Sequence, residues 1–300
     1  MKSERPKVLF IFLFSPFYIH SPMQNSLSRY LVIYTVAQLP MLVIAAFFPY
    51  IFSMDTSPNM RALLRALLDY VPFLILAAFL WYDMSAARRV SPFGLVLTAT
   101  CGFTGYLMQR TGLPLVRKYG CVTIVYTLLL LVSIYFLPTY TNLLTVAFQI
   151  LTLILVLSDL NRLPLSRNPA TAWLTALLII TCFAQPFVAI LALLLLHHAE
   201  HTDNAVAALK TYLLPIALIS LAKRICAALP VSFTLFGFPA SVILSTLLGL
   251  VLLVIIIVML YRDAPKARLS RFWLCASAIG SAPVSALCCL FAQQENKEEE

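Results

Sequence analysis

The chain is 300 residues long, with 61% hydrophobic and 11% charged residues and a formal net charge of +9. Globular domains sit near about 45–50% apolar and about 25% charged, so this composition and the mean hydropathy of +0.92 exclude a soluble fold. No segment is long and polar enough for an extramembrane domain, and the basic residues fall in loops between apolar runs, where they set orientation and meet headgroups rather than nucleic acid.

Residues 1–22 carry Lys2, Arg5 and Lys7 ahead of Val8–Phe14, an apolar core too short for a clear span and without a signal-cleavage site. Apolar runs that each approach the roughly 20 residues needed to cross a bilayer follow: Tyr30–Phe52, Tyr70–Tyr82 (begun near Leu64), Pro92–Met108, Tyr119–Leu137, Tyr140–Leu157, Ala170–Leu196, Ala205–Leu229, Val231–Tyr261 and Phe272–Ala292. The fold class expected is an all-α polytopic transmembrane bundle of nine or ten spans with short loops. It forms a single domain over residues 1–292, followed by a disordered acidic tail, 293–300. Aromatics such as Tyr30, Tyr50, Trp81, Tyr119, Tyr261 and Trp273 stand at span ends, as amphipathic rings do at the headgroup level. Ten passes with the N-terminus inside place most of the 21 basic residues on the cytoplasmic side, but leave Arg262, Lys266, Arg268 and Arg271 outside.

Ala37-Gln38-Leu39-Pro40 and Ala184-Gln185-Pro186 open similar apolar runs half a chain apart. Such an offset suggests an inverted five-plus-five repeat with halves 8–158 and 170–292, the plan of many secondary transporters. Pro40, Pro186, Pro215 and Pro239 mark expected helix breaks, since each proline removes a backbone hydrogen bond. Gln38 and Gln185 offer amides just before Pro40 and Pro186, Gln149 offers a further amide within a span, and Lys223 and Arg224 offer cations near a helix end. These five are the expected substrate-binding residues.

The seven cysteines form no C-x-x-C pair and read as small apolar residues. In HHAEHTD, His197 and His201 stand one helical turn apart, with His198 between them, a spacing that suits a transition metal. No carboxylate falls near a span centre, which argues against carboxylate-driven proton coupling. No acidic cluster of the kind that holds Mg²⁺ is present either.

The function expected is secondary transport or export of a small or lipid-linked solute across a bacterial inner membrane, without a cofactor. The partners are the lipid bilayer and that solute, and no nucleic acid. Oligomeric state is not readable. The alternatives are a non-catalytic membrane subunit or assembly factor of an envelope complex, and a membrane enzyme acting on lipid or glycan.

Overall fold

A computed structural model describes residues 26–51, 58–87, 91–163, 169–198, 203–228, 234–235 and 238–298. The N-terminal segment, with its short apolar core, lies outside them. The protein is an all-α polytopic bundle. In chain order the helices are α1 (Ser26–Ile51), α2 (Pro58–Ala86), α3 (Pro92–Arg110), α4 (Leu115–Phe136), α5 (Thr141–Leu160), α6 (Pro169–Ala184), α7 (Pro186–His198), α8 (Asp203–Ala228), α9 (Ala240–Asp263) and α10 (Arg271–Glu298). A 3₁₀ turn, Pro138–Tyr140, joins α4 to α5. Between α8 and α9 two residue pairs, β1 (Thr234–Leu235) and β2 (Phe238–Pro239), face each other antiparallel. Within the run Val231–Tyr261, α9 begins only at Ala240. Pro239 precedes its first turn.

Among the described residues, seven helices are long and apolar enough to cross a membrane: α1, α2, α4, α5, α8, α9 and α10. This is fewer than the nine or ten passes read from hydropathy: Pro92–Met108 is not among them, Ala170–Leu196 is divided into two shorter helices, and the N-terminal segment is not described. Three helix breaks set the path of the chain, one of them inside α10.

The first break is in α3. Gly102 has φ +60° and ψ −138°, and the two limbs on either side of it fold back on each other. A Cβ at Gly94 would overlap the Gln109 side chain, and one at Gly105 would overlap the Leu97 carbonyl. Gly94 and Gln109 are fifteen residues apart, which in a straight helix means about 22 Å.

The second is in α10. Ser281, at φ −155° and ψ 89°, interrupts the helix ahead of Pro283. The Ser277 and Ser285 hydroxyls then meet at 2.8 Å, where a straight helix would hold them about 12 Å apart. The outgoing limb returns to the start. Gln293 donates to the Asp263 carbonyl at 3.3 Å and Asn296 to that of Lys266 at 3.4 Å. The polar tail thus continues α10 as far as Glu298 instead of starting a disordered segment at Gln293.

The third break, at Gln185-Pro186, divides the expected span Ala170–Leu196 into α6 and α7. Gln185 lies beside Ser220 of α8, about 12 Å along that helix from Tyr212. Had α6 arrived from the far side, Pro169 would sit some 22 Å deeper still. The nine residues from Leu160 to Pro169 reach at most about 32 Å, too little for that path. Instead α6 packs along α8 and turns back as α7, whose His198 stacks on Phe291 near the end of α10.

Among the described residues, six helices thus run from end to end, and three segments enter from one face and return to it. The returning limbs form the dry centre: Gly102–Met108, Val188–Leu196 and Ala282–Ala292 are buried throughout. Around them the packing order is α1, α2, α3, α4, α5, α6, α8, α9, α10 and back to α1. On the far half packing thins. No described side chain of α1 after Ala37, of α8 after Ser220 or of α9 before Leu252 is buried.

Candidate functional site

Polar groups concentrate at two levels, the face from which the three hairpins enter and the plane of their apices.

At the entry face, three tyrosine–aspartate clasps close three pairs of spans. Tyr30 of α1 donates to Asp83 Oδ2 of α2 at 2.6 Å, and Arg29 Nη1 lies 3.1 Å from the same oxygen. Tyr119 of α4 and Lys118 Nζ both donate to Asp159 Oδ2 of α5 at 2.7 Å. Tyr212 of α8 donates to Asp263 Oδ2 of α9 at 2.9 Å, and Arg262 and Lys266 reach the same carboxylate at 3.2 and 3.3 Å. Asp159 and Asp263 are 1% and 5% exposed. A carboxylate taken out of water this far needs a cation and hydrogen-bond donors to stay, and each clasp supplies both. These residues are not among the site residues expected from the sequence. Their signal there is a tyrosine early in one span with an aspartate closing the next.

At the apex plane, three of the five expected substrate residues converge on the α6–α7 break. Pro186 has no N–H, and the Val188 and Ala189 amides turn to the Gln185 carbonyl. The last carbonyls of α6 are therefore left without helical partners. Gln149 Nε2 donates to the Phe183 carbonyl at 2.8 Å and Arg224 Nη2 to that of Ala184 at 3.3 Å. Gln185 Nε2 donates to Ser220 Oγ at 2.9 Å. Phe187 closes the site on one side against Phe148 and Tyr126, whose own rings stack at 3.8 Å. Lys223 stands apart, against α9, where a Cβ on Gly249 would lie 3.2 Å from Nζ.

Gln38 belongs to a different apex. It lies against Gly280, beside the α10 break, so close that a Cβ there would overlap its amide, and its Oε1 is buried without a hydrogen-bond partner. The structure therefore does not bring Gln38 and Gln185 into one site. Of the expected breaks, Pro186 opens α7 and Pro239 precedes α9, whereas α1 continues through Pro40 and α8 through Pro215.

His201 lies outside the described residues. His197 Nδ1 is 3.1 Å from the Leu193 carbonyl one turn back, and His198 stacks on Phe291 at 5.2 Å. Among the described residues no group of three or more His, Cys, Asp or Glu side chains is placed to hold a metal ion. Two surface depressions, one between α2 and α3 and one between α4 and α5, are lined almost wholly by apolar groups.

Comparison with protein-family models, with curated proteins and with solved structures finds no match to this chain.

Proposed function

We propose that the protein is a secondary transporter of a bacterial inner membrane that carries a small or lipid-linked solute with an anionic group. The observation that carries this reading is the set of three helix breaks at mid-depth. Irregular backbone inside a membrane is tolerated where protein or a water-lined path satisfies it, and broken helices meet the substrate in many secondary transporters. Gln185, Ser220 and Arg224 place an amide, a hydroxyl and a guanidinium at one break. The half of the bundle away from the clasps holds Arg61, Arg65, Lys223 and Arg224 against Asp69 among the described residues, a surplus that favours an anion.

Orientation follows from the same count. Arg29, Arg110, Arg117, Lys118, Arg162, Lys210, Arg262, Lys266, Arg268 and Arg271 cluster towards the clasp face, so that face is cytoplasmic by the bias of basic residues to the inside. The loop Arg262–Arg271, which a ten-pass reading leaves outside, joins the rest because three segments turn back.

Uptake of inorganic phosphate and of small carboxylates into proteoliposomes tests this reading. Protein-containing vesicles are expected to take up a probe anion, and Gln185→Leu is expected to lower its flux at least tenfold at unchanged protein yield. Flux no higher than in protein-free vesicles, or no effect of Gln185→Leu, contradicts it.

The solid packing of the clasp half favours a second reading, a non-catalytic membrane subunit of an envelope complex. That reading requires a partner that co-purifies stoichiometrically in mild detergent.

A further inference from the structure

We infer that the chain is three tandem copies of one unit, two full spans and a re-entrant hairpin, and that the axis between the copies is a path closed on the clasp face by Arg110 and Glu295. The inference rests on the transport reading above.

The units are residues 26–110, 115–198 and 203–298. In each, a tyrosine in the first span bonds an aspartate near the end of the second: Tyr30 to Asp83, Tyr119 to Asp159, Tyr212 to Asp263. In each, a serine follows the aspartate by seven or eight residues, at Ser91, Ser166 and Ser270, and leads into the hairpin. The hairpin of every unit packs between its own second span and the first span of the next unit. So α3 sits between α2 and α4, α6 between α5 and α8, and α10 between α9 and α1. The last of these closes the ring, as a cyclic arrangement of three requires. An inverted repeat of two halves would pair helices of opposite direction, whereas all three hairpins here enter from one face.

The returning limbs α3, α7 and α10 touch each other at the centre. They end at the clasp face in Arg110, His198 and, in α10, Glu295 close to its end. Among the described residues, five ion pairs lie within a unit. The pair between Arg110 Nε and Glu295 Oε1, at 2.7 Å, joins the first unit to the third. Both side chains are 23% exposed, so the pair is held partly away from water, where attraction between charges is stronger. Arg110 also donates to Tyr106 Oη at 3.0 Å and to the Ser26 hydroxyl, which orients the guanidinium. His198 stacks on Phe291, one turn before Glu295, and brings the second unit to the same mouth. Below this mouth the limbs are buried and mostly apolar down to the apices, so parting them is the step that opens the axis to the cytoplasmic side.

The test places a cysteine at the α10 apex, Ser281→Cys, and follows its modification by a membrane-impermeant maleimide in vesicles of each orientation, against the chain without it. With the ion pair intact, modification is expected only from the face opposite the clasps. With Glu295→Gln or Arg110→Ala, modification from the clasp face is expected to speed up at least tenfold. The exchange Arg110→Glu with Glu295→Arg is expected to return it to the original rate, which separates a released lock from a misfolded chain. Equal clasp-face rates with and without the pair, or no recovery on exchange, overturns the inference. No solute enters this readout. If labelling depends on the pair while no probe anion is carried, the anion reading fails and the gate stands.

Discussion

Gly102→Ala is expected to cost the protein about 3 kcal/mol or more, one of the largest losses available from a single methyl group. Two effects add. At φ +60° and ψ −138° the backbone is in a region open to glycine and strained for alanine, at roughly 1–2 kcal/mol. The added Cβ also enters the ring of Phe73 on α2, and overpacking of this kind costs roughly 1–3 kcal/mol. Gly112 separates the two terms. It has φ +65°, and a methyl there would meet nothing within 4 Å, so Gly112→Ala carries the backbone cost alone. Thermal unfolding in detergent should place Gly102→Ala well below Gly112→Ala, and Phe73→Leu should recover part of the difference. Equal midpoints for the two alanine variants would mean that α3 does not turn against α2 at this residue.

Asp159→Leu should destabilise by about 3 kcal/mol. The carboxylate holds Lys118 and the hydroxyl of Tyr119, a side chain with no solvent exposure. Removing it leaves that hydroxyl buried without an acceptor, at about 1–3 kcal/mol, and strands the ammonium of Lys118. Because Lys118 is 36% exposed, water recovers part of the second loss. Tyr119→Phe should cost less, about 1 kcal/mol, since the carboxylate keeps its cation. The triple change Lys118→Met, Tyr119→Phe and Asp159→Leu should be milder than Asp159→Leu alone, because a matched apolar replacement leaves nothing unpaired. Unfolding midpoints of the four proteins check the order.

Membrane residence and the positions of most helices are legible in the residues. Direction is not. Hydropathy reports that Pro92–Met108 is apolar, and says nothing of whether its ends share a face. The deciding residues are a single glycine in α3, Gln185-Pro186 in the α6–α7 segment, and Ser281 with Pro283 in α10. Serine is not a strong breaker, and Pro40 and Pro215 sit in helices that continue, so proline alone does not identify the turns. The misplaced loop Arg262–Arg271 is the warning sign, since counting each re-entrant hairpin as a crossing inverts everything after it.

At the candidate site, Gln185 stands out in the sequence beside a proline, Gln149 as an amide within an apolar span and Arg224 as a cation near a helix end, and the three meet at one break. Gln38 shares a local likeness of sequence with Gln185 and goes instead to the α10 apex. The aspartates fall at span edges, where sequence alone gives them no role. Only the fold shows that Asp83, Asp159 and Asp263 each answer a tyrosine across two spans, because that pairing joins residues 40 to 53 positions apart.

The fold-back of the three hairpins is decided by the sidedness of their mouths. Single cysteines at Ala87, Gly112, Asn161 and Lys266, in a chain whose seven native cysteines are replaced by alanine, exposed in intact cells to a membrane-impermeant thiol reagent and then again after permeabilisation, report it directly. All four are expected to react only after permeabilisation. If Ala87 and Gly112 react from opposite sides of the membrane, α3 crosses it and the account is wrong.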